Sequence, residues 1–564
     1  MFGAELMARA VERQGVKTVF GLPGHLEAFF GALQERNIRL IHQRHESAVV
    51  LSADGCARAR RSIGVACVTA GPGLANALGG LASAYMACTP LLVFCGRNEF
   101  RVAEIGALQE MDHTSAARPI AKSVLTVHEA SRLGEYVDMA CRIALSGRPG
   151  PVLLEVPRNL PLERVDEDIA APSLRPLIRP ARPLADPAAV ARAVDVLMEA
   201  ERPLILAGNG AYWGEATEGL RRLAGEFRLP VFANALARGI VPEDMEVGFP
   251  WPMASPAARE ADVVLVAGKR MDFTIGFAAP PFFAKDARFI QIDVDGAEIG
   301  RNQPVAAPIV ADCGPALTAI GVELARREYQ PRDPAWAVEA LRDRLARIDE
   351  LGREQTGMVH PLRMARELAQ RMPPNAIYVS DGANCTNWFK AVLRVMRSPG
   401  WMDHDPFGSM GVGLPLAIGA AAAEQESASP RPVFLGAGDG AIGQYLAELA
   451  TASLHGLPLF IMLANNGAWG ASRGITLRTF GGTYGVEMNQ SRYDLVAQGL
   501  ECHGELATSP EEVGPAFDRA LAAVRHGKPA LVNVLVDREV DGQRGDPLVQ
   551  MVPFNPQWPP RAAV

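Results

Sequence analysis

Cysteine is scarce and scattered. The eight cysteines in 564 residues are Cys56, Cys67, Cys88, Cys95, Cys141, Cys313, Cys385 and Cys502, mostly in apolar surroundings, and no two form a CxxC pair. That pattern argues for buried free thiols in a reducing cytoplasm rather than a disulfide framework. Long apolar runs are also missing. None reaches the roughly 18 uninterrupted residues of a membrane span. The opening stretch MFGAELMARAVERQGV reads as an amphipathic helix, not a signal peptide. Basic runs are absent too: net charge is −7 and the sequence pI is about 5.9. A nucleic-acid partner is therefore not expected, nor a membrane one. There is no low-complexity tract and no short solenoid period.

What is present is an alternation of short apolar strands with longer helical patterns. TVFGL, GVACVTA, PLLVFCG and PVLLEVP come first; PLILAG, PVFANA, DVVLVAG and FIQIDVD follow; AIYVSDG, PVFLGAGDG, PLFIMLANN and PALVNVLVD come last. Such alternation predicts an α/β protein of doubly wound parallel sheets with helices on both faces. The length exceeds one ordinary core. Proline-rich stretches at 171–187 and 327–336 read as linkers, giving three domains at 1–165, 186–328 and 357–540. The tail 541–564 is too rich in proline for a sheet and is expected to drape over a surface.

The most informative stretch is LGAGDGAIGQYLAELATASLHGLPLFIMLANNGAWG, residues 435–470. A buried strand ends at Gly436, Gly438 and Gly440, which let a phosphate approach the backbone. The next helix points its amino end at the same place. Asp439 supplies a hard oxygen ligand for Mg²⁺. The following strand ends at Asn465 and Asn466, offering an amide oxygen, and the Ala468 carbonyl stands just beyond.

A second stretch, LIHQRHESAVVLSADGCARA (40–59), places Glu46 where a strand gives way to an apolar helix. A poorly solvated carboxyl there favours its protonated form. Two glycine turns complete the pattern: Gly71-Pro72-Gly73 with Asn76, and DPFGSMGVG with Gly408 and Met410.

With these motifs the chain resembles the acetolactate synthase, pyruvate oxidase and benzaldehyde lyase superfamily of thiamin-diphosphate enzymes, from about residue 3 to residue 540. The resemblance implies pyrimidine-binding, central and diphosphate-binding domains. It implies Mg²⁺ held by Asp439, Asn466 and the Ala468 carbonyl beside Gly438 and Gly440. Glu46 would share a proton with the pyrimidine ring nitrogen. Gly71, Pro72 and Asn76 would line the pyrimidine side. The Gly408 carbonyl would accept from the exocyclic amine, and Met410 would wedge the cofactor into a bent shape. In such enzymes one cofactor is shared by two subunits, which implies a homodimer or homotetramer.

His25, in VFGLPGHLEAFF, matches an active-site histidine of benzaldehyde lyase. Gln109 and His113, in GALQEMDHTSAARP, align with the family's active-site glutamine segment. Trp469 and Arg473 are candidates for the entrance. In the central domain, LAGNGAYW, GKRMDF and QIDVD resemble segments that carry FAD or ADP in some relatives, with Arg270 and Asp293 as candidate contacts. A lone GxG is weak support for either nucleotide, and a domain that only packs is the plainer expectation.

The activity implied is a Mg²⁺-dependent C–C lyase or carboligase, acting on 2-hydroxy ketones or 2-oxo acids through an enamine. Its substrates would be small carbonyl compounds. The alternatives are an acetolactate synthase-like carboligase and a 2-hydroxyacyl-CoA lyase or oxalyl-CoA decarboxylase. A flavin oxidase follows, and last a non-catalytic binding or regulatory member, against which intact Glu46, Asp439 and Asn466 argue.

Overall fold

A computed structural model describes residues 1–170, 181–251, 255–351 and 357–540. Most of the 171–187 linker and the whole 541–564 tail lie outside the described residues. Among the described residues there are eighteen strands. In the first domain they are β1 (Thr18–Gly21), β2 (Arg39–His42), β3 (Gly64–Val68), β4 (Leu91–Arg97), β5 (Ser123–Thr126) and β6 (Pro151–Pro157). The second holds β7 (Pro203–Ala207), β8 (Val231–Ala233), β9 (Gly248–Pro250), β10 (Val263–Ala267), β11 (Arg288–Asp293) and β12 (Ala307–Val310). The third holds β13 (Ile377–Asp381), β14 (Trp401–Met402), β15 (Val433–Gly438), β16 (Leu459–Asn465), β17 (His503–Ala507) and β18 (Ala530–Leu535).

They form three six-stranded sheets, ordered β2-β1-β3-β4-β6-β5, β12-β11-β10-β7-β8-β9 and β14-β13-β15-β16-β18-β17. Strands within each sheet pair in parallel, as between β3 and β4, β10 and β7, and β15 and β16. The fold class read from the sequence is the one observed. The reason is visible in burial: β3, β6, β7, β10, β13 and β16 are buried throughout. Strands covered by helices on both faces need continuous apolar sequence.

Sheets one and three share one order. Counting strands within each domain, both run 2-1-3-4-6-5, whereas the middle sheet read from β9 runs 3-2-1-4-5-6. In such sheets ligands gather at the carboxyl ends of the strands, where the order reverses. In sheets one and three that point lies between the domain's first and third strands.

The first and third domains meet along two helices, Glu46–Arg60 and Gly413–Gln425. Their backbones almost touch: a Cβ on Gly419 would lie 1.9 Å from the Ser52 carbonyl oxygen. Ser52 in turn donates to the Pro415 carbonyl at 2.9 Å. Among the described residues no helix is long and apolar enough to cross a membrane.

Candidate active site

The third domain converges on Asp439. Parallel register sets Gly438 of β15 beside Ala464 of β16, so the chain leaves both strands side by side. Asp439 opens a short helix and is 2% exposed; Asn466, just past β16, is 3% exposed. Burial pushes the Asp439 carboxyl up to about 6, against backbone N–H groups of Asp439 itself, Gly440, Gly467 and Ala468. Its Oδ2 is buried and has no hydrogen-bond partner. An orphaned carboxylate oxygen is costly to bury, and a hard cation would satisfy it. Asn466 Oδ1 accepts from the Ala468 N–H at 3.0 Å, and an amide oxygen retains a second lone pair. Among the described residues no three His, Cys, Asp or Glu side chains cluster as a metal site. The available donor set is all oxygen, with one carboxylate, which suits Mg²⁺ rather than a softer ion.

Met410, Gly438, Asp439, Gly440, Asn466 and Ala468 line one cavity together with Trp469. The Trp469 ring lies against Gly440, so Trp469 is part of this wall. Arg473 is instead tied to Glu487 at 2.9 Å and Glu539 at 2.6 Å. Gly408, exposed and in the left-handed region at φ +71°, begins the segment leading to Met410. Beyond Met410, the Gly411 and Gly413 N–H groups donate to the two oxygens of Asp381, at 3.2 and 2.7 Å. Asp381, the last residue of β13, was not singled out in the sequence. It ends the strand AIYVSD, much as Asp439 follows β15, and that parallel was the available signal.

In the first domain Glu46 is the first residue of its helix and 9% exposed. Asn76 donates to Glu46 Oε2 at 3.0 Å. His45 caps the helix by accepting from the Ser47 N–H at 3.1 Å, and its ring meets Tyr445 edge-on at 5.2 Å. Gly71 and Pro72 begin the helix Pro72–Ala87, with Gly71 at φ +54°. A Cβ on Gly71 would fall 2.5 Å from the Gln109 carbonyl oxygen, so this turn requires glycine.

His113 has a role that sequence alone does not show. The Gly71 N–H donates to its Nε2 at 2.8 Å, and its Nδ1 stands 3.0 Å from Glu155 Oε1. A backbone N–H can only donate, so Nε2 accepts and Nδ1 carries the proton. Both side chains are buried. Burial pushes the Glu155 carboxyl up, but hydrogen bonds from His113 and Thr126 and the charge of Arg97 outweigh it and hold it below its ordinary range. His113 therefore supports the Gly71 turn from behind.

His25 and Gln109 meet through Thr69, which the sequence reading passed over inside VTAGPG. The Thr69 hydroxyl donates to Gln109 Oε1 at 3.3 Å, and His25 Nδ1 lies 2.8 Å from Thr69 Oγ1. With the hydroxyl proton directed to Gln109, His25 Nδ1 is the donor and Nε2 is left as an acceptor. His25 and Gln109 both hold positive φ, at 60° and 61°, an uncommon conformation for such residues.

Arg270 and Asp293 line a separate cavity where the three domains meet, with Asn209, Arg238 and Asp405 among its walls. Arg270 donates to the Met86 carbonyl. Burial pushes the Asp293 carboxyl up to about 6.

Three family models match in chain order. They are the thiamine pyrophosphate enzyme N-terminal TPP binding domain over 1–116, the central domain over 190–320 and the C-terminal TPP binding domain over 381–534. The chain belongs to the thiamine pyrophosphate enzyme family. It is a thiamine pyrophosphate-dependent enzyme. An acetolactate synthase large subunit of Mycobacterium tuberculosis is 33% identical over 553 residues, 96% of each chain. A 2-hydroxyacyl-CoA lyase 1 of Homo sapiens is 26% identical over 566 residues, and an oxalyl-CoA decarboxylase of Escherichia coli 26% over 558, each again covering 96% of both chains. Within this family the TPP-binding models fall on the two domains that carry Glu46 and Asp439.

Proposed function

We propose that this enzyme uses thiamin diphosphate and Mg²⁺ to break or make a C–C bond beside a carbonyl, as a lyase or carboligase of 2-hydroxy ketones or 2-oxo acids. When bound, the cofactor supplies a nucleophilic ring carbon and an electron sink. The protein's own groups do the rest. Asp439, Asn466 and the Ala468 carbonyl would hold the metal and the diphosphate, with Gly438 and Gly440 keeping that loop open. Glu46, its Oε2 held by Asn76, would share a proton with the pyrimidine nitrogen. Gly71, Pro72, Gly408 and Met410 would hold the rings.

The observation that favours the lyase reading is the His25–Thr69–Gln109 chain. It presents an imidazole Nε2 acceptor, set by a hydrogen bond at its other nitrogen, which can take a proton from a substrate hydroxyl and return it. Acetolactate synthesis is the second reading, favoured by the 33% identity over nearly the whole chain to the mycobacterial acetolactate synthase. An acyl-CoA substrate is the third.

The active site is shared between two copies of the chain. The metal-side cavity is lined only by residues 381–472 of the third domain, whereas Glu46, Gly71, Pro72 and Asn76 belong to the first. Pro72 and Asn76 are exposed on the single chain, as residues awaiting a second copy would be.

The test is to offer benzoin, pyruvate and a 2-hydroxyacyl-CoA separately to the protein with thiamin diphosphate and Mg²⁺, reading products by mass spectrometry. Benzaldehyde from benzoin, with pyruvate untouched, is expected. Acetolactate from pyruvate would move the enzyme to the synthase reading. The absorption spectrum of the purified protein, and nucleotide released on denaturation, would report whether FAD or ADP fills the central cavity.

A further inference from the structure

One buried residue joins all three domains and stands three positions before Gly408. Asp405 is 6% exposed and sits in the left-handed region at φ +50°, as a non-glycine. Such strain persists only where surrounding contacts enforce it. Here they are explicit. Arg58 Nη1 donates to Asp405 Oδ2 at 2.6 Å, and Asn209 Nδ2 donates to Asp405 Oδ1 at 2.7 Å. Arg58, 2% exposed, also grips both oxygens of Asp54 at 2.6 and 2.8 Å and reaches the Asp403 carbonyl at 3.0 Å. Tyr212 donates to the Arg58 carbonyl at 2.5 Å, and Asn209 Oδ1 accepts from the Leu236 N–H at 3.1 Å.

Asp54 and Arg58 lie on the helix that Glu46 begins; Asn209 and Tyr212 come from the second domain; Asp403 and Asp405 come from the third. The knot is tied to the segment's backbone as well. The Asp405 carbonyl accepts from the Gly408 N–H at 3.2 Å, and the Asp405 N–H donates to Asp403 Oδ1 at 3.1 Å. At the far end Asp381 holds Gly411 and Gly413. The segment is clamped at both ends, while Phe407 and Gly408 between the clamps are exposed. Buried ionic networks contribute little net stability compared with apolar packing, and their better-attested use is to specify one arrangement.

We propose that Asp405 is a positioning residue for catalysis: through Arg58 and Asn209 it sets where the Gly408 carbonyl and the Met410 side chain stand, so that the central domain helps to align the cofactor. This rests on the reading of Gly408–Met410 as the cofactor-facing segment.

The discriminating variant is Asp405→Gly, because glycine keeps φ +50° without strain and removes only the side chain. Three readouts are taken on full-length protein with thiamin diphosphate and Mg²⁺: cofactor affinity, the near-ultraviolet circular dichroism of the bound cofactor, and exchange of its C2 proton into D₂O after acid quench. The proposal expects unchanged affinity, an altered dichroism signature and exchange slowed by about 10- to 100-fold. A folded Asp405→Gly protein with wild-type dichroism and exchange overturns it. If that variant does not fold, Asn209→Ala decides. It spares the Arg58–Asp405 pair and removes the central-domain arm, together with the acceptor for the Leu236 N–H, with exchange expected to slow about tenfold; wild-type exchange there also overturns the proposal. A wild-type protein that binds no cofactor would instead overturn the functional reading itself, and with it this inference.

Discussion

The first and third domains are the same fold put to different use. Both sheets run 2-1-3-4-6-5, so their loops can be compared one for one. His25 follows the first strand in one, and Asp381 ends it in the other. After the second stand Glu46 and the Asp405–Met410 segment. Gly71-Pro72 follows the third strand in one, and in the other Gly438 ends it with Asp439-Gly440 beyond. The decisive difference lies in how each third loop uses its polar groups. In the first domain the Gly71 N–H is satisfied inside the protein by His113, itself held by Glu155. In the third, Asp439 Oδ2 is left without a partner. One loop closes its polar groups within the protein; the other leaves a buried carboxylate oxygen that a cation would satisfy. Topology placed both at the sheet's switch point, and a few side chains decided what each could hold.

The predictions press on that contrast. Glu46→Gln should leave Mg²⁺-dependent cofactor affinity intact while turnover falls by about 10²- to 10⁴-fold; near-normal turnover would remove Glu46 from proton handling. Asp439→Ala should do the converse at the binding step, weakening Mg²⁺-dependent cofactor affinity by about 100-fold or more in a calorimetric titration. Equal affinity would erase the distinction drawn between the two loops. His25→Ala should slow the substrate steps by about 10- to 100-fold and spare cofactor binding; unaltered kinetics across all three substrates would take it out of the site.

His113→Ala strips a partner from both Gly71 and Glu155, a loss of about 1–3 kcal/mol on denaturant unfolding. If His113 holds the Gly71 turn where the cofactor needs it, turnover falls with it. Stability lost without any change in turnover would make the support merely structural.

The smallest effect lies at the contact between the two domains, where the His42 and His455 rings meet at 5.1 Å. Burial first, then the charges of His42 and Arg39, push the His455 imidazole down to about 4 from 6.5. Between those values the unfolded chain binds the extra proton. His455 therefore contributes stability that is present above about pH 6.5 and lost as pH falls toward 4. His455→Gln should flatten the stability profile over that window, and an unchanged slope would contradict the assignment.

Much of this was legible in the sequence, for physical reasons. Parallel strands covered on both faces must be continuously apolar, so VVLVA and LFIML announce themselves. A glycine-rich strand end with an acid, followed one strand later by Asn-Asn, is local in the chain, so the convergence of Asp439 and Asn466 on one cavity could be anticipated. What could not be read depends on distant contacts. His113 meets Gly71 across 42 residues and Glu155 across another 42, so neither contact can be read from its nearness to Gln109 in sequence. Thr69 lies in the strand segment GVACVTA without any mark of its place between His25 and Gln109. Asp405 gave no signal, since neither its positive φ nor its partners Arg58 and Asn209 can be inferred from DPFGSMG. The middle domain's GxG was readable as a motif, but not the cavity that three domains enclose around it.

The most direct measurement mixes the two domain-specific variants. Glu46→Gln and Asp439→Ala proteins, each inactive alone, are dissociated, mixed in equal amounts and reassociated with thiamin diphosphate and Mg²⁺. If one site draws Glu46 from one copy and Asp439 from another, random pairing leaves one intact site in each mixed dimer, and activity recovers to about a quarter of wild type. No recovery, with mixed dimers demonstrated by mass, would place both residues in a site within one chain and contradict the account.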